Sequence, residues 1–279
     1  MEFHASGEIP PESFLLIIGA MKCGTTSLFS YLASHPMICA SNPKEPEFFS
    51  RKQAHQVDVT RYEELWNYDS SKHRYAMEAS TGYTKFPRES GVAERICAFG
   101  LQPRFVYIIR DPIERIESHI NYAMQRGRPL DKEDSIVQLV ELCKYNLQLR
   151  QFTEFFGRER ILVLDFRRLV EEPKALLTDV YRFLDVPDHT DALDLTPKNR
   201  TRLEPTLLRK LSGSPVAGLR NLVPAAARQR LKGAARQLLP APKKQALSQS
   251  ERTRIRNQLA DDMAELHSNW GVDIRQWGF

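Results

Sequence analysis

The sequence predicts an α/β fold: a three-layer sandwich with a central parallel sheet, plus a helical C-terminal elaboration. Two observations carry the prediction. The runs Phe14-Leu-Leu-Ile-Ile18, Arg104-Phe-Val-Tyr-Ile-Ile109 and Ile161-Leu-Val-Leu164 are short and apolar, as buried strands are. Segments of helical length separate them, and strands alternating with such helices build a parallel sheet with helices on both faces. Right-handed crossovers then place the loop after each strand on one edge of the sheet.

The elements follow in order. The strand from Phe14 ends at Gly19, and a helix runs from about Thr25 to Ser34 with Leu28, Tyr31 and Leu32 on one face. His35-Pro36 ends it, because a residue before proline avoids the helical region. Tyr75-Ala-Met77 is a further short strand candidate. Arg110-Asp-Pro112 stops the strand at 104–109, and Pro112 suits the first turn of the next helix. A long helical pattern from about Asp134 to Phe156 leads into the strand at Ile161. Beyond Pro197 helical segments are expected near 223–239 and 249–268. One domain over 1–279 is predicted, with a core of about 12–200 and a basic helical region of about 201–279.

Composition bounds the function classes. At 279 residues, 42% hydrophobic and 27% charged, the chain is an ordinary globular protein. No apolar run reaches bilayer-spanning length, and the first residues carry acidic groups and no secretory apolar region. Cys23, Cys39, Cys97 and Cys143 show neither metal nor disulfide spacing, so a reduced, cytoplasmic protein is the default. The net charge of +5 is unevenly placed. From Pro205 to Ser250 there are nine basic residues and no acidic one, leaving 31 basic against 35 acidic elsewhere. Such a segment is either a solvated helical face or a surface for an anionic partner.

The stretch Gly19-Ala-Met-Lys-Cys-Gly-Thr-Thr-Ser27 carries the chemistry. A strand, a Gly-rich turn and a helix N-terminus make an anion site, because N–H groups and the helix dipole converge there. Gly19 and Gly24 have the spacing of a triphosphate loop, so the unit is P-loop-like. Yet Thr25 stands where that loop has its lysine, and Lys22 lies two residues before the second glycine. Thr25, Thr26 and Ser27 add hydroxyls. A triphosphate site also needs an acidic magnesium ligand after another strand, where this chain has Arg110 before Asp111. An arginine there fits direct phosphate binding.

These residues carry a resemblance. The loop resembles the 5′-phosphosulfate loop of sulfotransferases that use 3′-phosphoadenosine 5′-phosphosulfate (PAPS), closest to the glycan (heparan-sulfate-type) and bacterial members. A second element, Arg110, Pro112, Arg115, Ser118 and Tyr122, is similar to that family's strand ending in arginine with a serine eight residues on. The match runs from about Phe14 to Phe183. The resemblance implies that Arg110 and Ser118 hold the 3′-phosphate, that Gly24, Thr25 and Thr26 hold the 5′-phosphate with Cys23 and Ser27 in the same loop, and that no metal is used. It places Lys22 at the leaving-group oxygen, where preorganised charge stabilises the transition state.

On the acceptor side, Lys44-Glu45-Pro-Glu47-Phe-Phe49 resembles the segment that supplies the glutamate base of the glycan-type enzymes. Glu45 matches the base, with Lys44 and Glu47 beside it, and partial burial by Phe48 and Phe49 would raise its basicity. Glu78, Ser80 and Tyr83 resemble a second acceptor-side element; each also fits a plain strand end with a Gly turn. Tyr145 matches a family tyrosine on a similar helix, and fits equally an aromatic packed beneath the sheet. Lys198, Asn199 and Arg200 lie where the family has a basic loop over the nucleotide. Cys23, near a helix N-terminus and Lys22, is in a setting that lowers thiol pKa, and no nucleophile is required of it.

The expected activity is sulfuryl transfer to a hydroxyl or amine of a glycan, glycolipid or small metabolite. The acceptor would be anionic or membrane-associated, met in the cytoplasm of a bacterium or at its membrane surface. Two alternatives stand beside it. A nucleotide kinase would need the Gly-Lys-[Ser/Thr] tripeptide that the loop lacks. A nonenzymatic anion- or nucleic-acid-binding protein would use residues 205–250, which hold no aromatic side chain for base stacking, so no nucleic-acid partner is expected. Arg228, Lys232 and Arg236, with Leu231 and Leu238, would instead steer the acceptor or touch an anionic membrane.

Overall fold

A computed structural model of the chain describes residues 8–50, 59–126, 132–195 and 244–279. Five strands form one parallel sheet: β1 (Phe14–Gly19), β2 (Ile38–Ala40), β3 (Tyr75–Glu78), β4 (Arg104–Ile109) and β5 (Ile161–Asp165), in the order β2-β3-β1-β4-β5. Every residue of β1 is buried, as an unalternating apolar run at the centre of a two-sided sheet must be. The expected α/β architecture and the strand at Tyr75 are both present.

Among the described residues the α-helices are α1 (Thr25–Leu32), α2 (Val59–Glu63), α3 (Val92–Ala98), α4 (Pro112–Gln125), α5 (Lys132–Leu142), α6 (Tyr145–Thr153), α7 (Phe166–Glu171), α8 (Pro173–Leu184) and α9 (Gln249–Trp270). Asp111 starts α4 by accepting from the Ile113 and Glu114 N–H groups, with Pro112 in the first turn. A capping box of Ser248 and Glu251 starts α9, and Gly271 ends it in the left-handed region. Its apolar stripe Ile255, Leu259, Met263 and Leu266 is buried and packs on α5 and α6.

Three expectations need correction. β2 was not foreseen, because three residues give no readable period. The first helix ends at Leu32, two residues before Ser34, with Ala33 as its cap. The helical pattern over 134–156 is two helices with a break at Cys143-Lys144. Asp262 of α9 enters that break and accepts from the Asn146 and Leu147 N–H groups at 3.1 and 2.9 Å. A remote carboxylate therefore caps the restarted helix. The expected helix at 223–239, the basic residues from 205 to 243, and Lys198, Asn199 and Arg200 lie outside the described residues.

The strand order positions the site. From β1 the chain moves toward β2 and β3; from β4 it moves the other way, toward β5. Neighbouring strands whose connections diverge leave a crevice at their C-terminal ends, where ligands of parallel sheets bind. The loop after β1 and the start of α4 both open there.

Candidate active site

The loop after β1 is held from three sides. Thr84 donates to the Ile18 carbonyl at 2.8 Å, the Ala20 N–H donates to Ile108 of β4 at 2.7 Å, and Arg115 Nε donates to the Met21 carbonyl at 3.0 Å. Both loop glycines are sterically required. A Cβ on Gly19 would lie 2.2 Å from Thr84 Oγ1, and one on Gly24 would lie 2.7 Å from the Phe166 ring. Gly24 also has φ of 88°, which side chains disfavour. It caps α1 without a side chain, so the first-turn N–H groups at Thr25, Thr26 and Ser27 have no helical acceptor and face the crevice end. Thr25 is buried; Thr26 and Ser27 are half-buried.

Lys22 adopts φ of 71° and sets its Nζ 4.0 Å from the centre of the Tyr122 ring on α4. Burial, then the nearby Arg110 charge, lowers its pKa. The two halves of the sequence motif therefore meet: the loop lysine packs on α4, the helix that follows Arg110. Arg110 bonds Glu114 one turn along, and its guanidinium lies 4.7 Å from the Phe166 ring. Ser118 lies half-buried on α4, two turns beyond Arg110. His119, beside it, is pushed down to about 4 by burial and by the Arg115, Lys22 and Lys85 charges, so it is neutral at neutral pH.

Two loop-side expectations change. Cys23 is fully buried, and that burial pushes its thiol up to about 12, overriding the Arg115 charge that would lower it. Tyr145 is also fully buried, so it fills the packing role that the sequence left open. Its hydroxyl donates to the Arg110 carbonyl at 2.7 Å and its ring lies beneath Arg115.

The acceptor-side residues meet at the end of β3. Glu78 is fully buried and accepts hydrogen bonds from Ser80, from Tyr83 at 2.6 Å and from Tyr62 at 2.8 Å. Ser80 Oγ in turn accepts from the Glu47 N–H at 2.9 Å, and Tyr83 from the Phe49 N–H at 3.3 Å. Glu47 closes the frame by accepting from the Gly82 N–H at 2.8 Å and the Ser50 hydroxyl at 2.5 Å. Glu78, Ser80 and Tyr83, expected to face the acceptor, thus face one another and hold the 45–50 segment through two hydroxyl relays. Burial lifts Glu78 to about 7 despite its three donors. Glu45 differs from expectation: its side chain is 41% exposed, paired with Lys44, and within 3.4 Å of Thr81 Oγ1. Phe48 and Phe49 pack instead into a cluster with Tyr62 and Phe99, so they do not bury it.

The arrangement comprises an anion loop carrying Lys22, a second cation, Arg110, at the end of the neighbouring strand, and the exposed Glu45 carboxylate beside Lys44 and Thr81. A family model described as "Sulfotransferase family" matches residues 15–191, which include all of these. The chain belongs to that family. Among curated sulfotransferase relatives, a human bifunctional heparan sulfate N-deacetylase/N-sulfotransferase 3 is 23% identical over 198 residues, 62% of this chain and 22% of that one. A membrane-associated sulfotransferase, kil1, of Dictyostelium discoideum is 30% identical over 125 residues, 42% of this chain and 26% of that one. The chain thus spans about a quarter or less of these relatives' lengths. A sulfotransferase structure from Alicyclobacillus acidocaldarius superposes with a TM-score of 0.66 at 21% identity, covering 97% of this chain and all of that one. That likeness establishes the sulfotransferase fold. A sulfotransferase domain from the curacin biosynthetic pathway superposes at 0.51 with 17% identity, covering 91% and 99%.

Sequence reasoning did not single out Thr84, Phe166 or Glu114 as part of the site, and noted Arg115 only as a motif position. Glu114 lay one helical turn from Arg110, a spacing that signals an ion pair. Thr84 and Phe166 had no such signal, because they reach the loop from 60 and more residues away. Among the described residues no group of three or more His, Cys, Asp or Glu is arranged to hold a metal ion, and no helix is long and apolar enough to cross a membrane.

Proposed function

We propose that this chain transfers the sulfuryl group of PAPS to a hydroxyl or amine of a glycan, glycolipid or small metabolite. The observation that carries the reading is that Lys22, in the loop after β1, packs on Tyr122 of α4, the helix that follows Arg110 at the end of the neighbouring β4, so that each of two anion-binding elements brings one cation to the same edge of the sheet. A nucleotide with phosphates at both 5′ and 3′ positions matches two such elements. The residues present fit it: Gly19 and Gly24 let the loop pack closely on Thr84 and Phe166, and the N-terminus of α1, capped by no side chain, opens at the crevice. Gly24, Thr25, Thr26 and Ser27 would hold the 5′-phosphate, and Arg110 with Ser118 the 3′-phosphate.

When bound, PAPS supplies an activated sulfuryl group whose leaving group is a phosphate. Lys22 stabilises the negative charge that grows on the departing 5′-phosphate oxygen; one such preorganised donor is worth about 2.7–4 kcal/mol. The Tyr122 ring, 4.0 Å from the Lys22 Nζ, offers its π face to that charge. Glu45 takes the proton of the attacking hydroxyl or amine, since its carboxylate is exposed toward solvent while Thr81 and Lys44 fix its direction. Glu78, fully buried, does not reach the acceptor; it and Glu47 hold the segment that carries Glu45.

The relatives named for heparan sulfate favour a sugar acceptor, and the short share of them that this chain spans leaves small alcohols and lipids in the same class. Transfer of label from [35S]PAPS into an extract of the source cell tests the reading. Label should enter a product distinct from PAPS and inorganic sulfate with wild-type protein, and Glu45→Gln should slow transfer by about 10²–10⁴-fold. Label that stays in PAPS with every acceptor fraction would remove the proposal.

A further inference from the structure

Arg110 already has an anionic partner. Its Nε and Nη2 lie 2.8 and 2.7 Å from one carboxylate oxygen of Glu114, and the Phe166 ring covers a face of the guanidinium. An arginine carries five N–H donors in a planar fork. Glu114 takes those along the Nε–Nη2 edge, which leaves the outer edge of Nη1 and Nη2 for a second anion. The Glu114 carboxylate is not committed elsewhere in the helix start, because Asp111 caps the α4 N-terminus and receives both the Ile113 and Glu114 N–H groups. Its side chain is 57% exposed. Its charge is also felt by Arg167.

We infer that Glu114 competes with the nucleotide 3′-phosphate for Arg110 and thereby sets the affinity of the site; the inference rests on the PAPS reading above. A partly exposed Arg–Glu pair one helical turn apart, without a buried frame around the carboxylate, is weak. A phosphate offers more charge and matches the guanidinium fork, so it wins the arginine. It does so beside a carboxylate that the helix keeps within a few ångströms, and the two anions repel. Without Glu114 the crevice would present Lys22, Arg110 and Arg126 with no counter-charge on Arg110; the last two already act on Lys22. Glu114 is therefore a specificity-determining residue that tempers binding of the bisphosphate. It acts chiefly on the 3′ end, since its contact is with Arg110 and the loop that serves the 5′ end is held by Thr84, Arg115 and Ile108.

The test is calorimetric titration of the full chain with adenosine 3′,5′-bisphosphate and, separately, adenosine 5′-phosphate. The proteins are wild type, Glu114→Gln, Arg110→Ala and the double variant. Glu114→Gln keeps the side-chain length and an acceptor oxygen, and the position is exposed, so folding is preserved. It should bind the bisphosphate about 3- to 10-fold more tightly at low salt, with the gain shrinking as salt rises. Binding of the 5′-phosphate should change by a clearly smaller factor. In the Arg110→Ala background the substitution should have no effect, which a purely structural role of Glu114 would not produce. Unchanged or weaker bisphosphate binding by Glu114→Gln would overturn the inference. A wild-type protein that binds the two nucleotides equally would instead overturn the PAPS reading beneath it.

Discussion

The Tyr145 hydroxyl donates to the Arg110 carbonyl oxygen at 2.7 Å, so α6 pins the backbone from which the predicted 3′-phosphate ligand projects. The pin is itself anchored. Asp262 of α9 caps α6 through Asn146 and Leu147, and the Trp277 ring lies 6.3 Å from that of Tyr145. Tyr145→Phe removes one donor and leaves the Arg110 carbonyl unpaired beside the core. A loss of about 1–3 kcal/mol in urea denaturation is expected, together with weaker bisphosphate binding. Unchanged stability and affinity would mean that the hydroxyl is not the anchor.

The Glu78 network makes stability fall with rising pH in a defined window. Burial raises the folded-state pKa to about 7 from an ordinary 4.5. The folded protein then holds a proton that the unfolded chain has released, so the contribution is full below 4.5 and lost as pH rises through 7. A shift of this size corresponds to a few kcal/mol, on the order of 1.4 kcal/mol per unit. His119 works in the opposite direction. Its pKa is lowered from 6.5 to about 4, so its contribution is full above 6.5 and lost as pH falls through 4. The difference between wild type and Glu78→Gln isolates the first effect. Denaturation midpoints at pH 5 and pH 8 should differ less in the variant; an equal difference in both would assign the pH dependence elsewhere.

Cys23 lies in the anion loop and is nevertheless shielded. Full burial and a pKa near 12 predict no reaction with iodoacetamide in the native protein, whereas Cys97, partly exposed, should label. Peptide mapping after brief native labelling checks this. Modification of Cys23 at the rate of Cys97 would mean that the loop opens in solution.

How much of this was legible in the sequence depends on the range of the interactions. The strand–loop–helix at 14–32 and the strand before Arg110 were readable because apolar runs, glycines and prolines act locally. The placement of Lys22 and Arg110 at one edge of the sheet was reachable through the motifs that carry each residue. Glu78, Ser80 and Tyr83 were selected, but their inward orientation was not, because it depends on Tyr62 and on N–H groups of the 45–50 segment. Glu45 was expected to be covered by its aromatic neighbours. Those rings instead turn into a cluster with Tyr62 and Phe99, distant positions that no local pattern connects. The break at Cys143-Lys144 was hidden for the same reason: its cap comes from Asp262.

The central claim is that the crevice is built for a 3′,5′-bisphosphorylated nucleotide rather than for a triphosphate chain with magnesium. Calorimetric binding of adenosine 3′,5′-bisphosphate against ADP, each with and without magnesium, tests it most directly. The bisphosphate should bind more tightly than ADP, magnesium should make no difference, and Arg110→Ala should remove the preference. Tighter, magnesium-dependent binding of ADP would contradict the account.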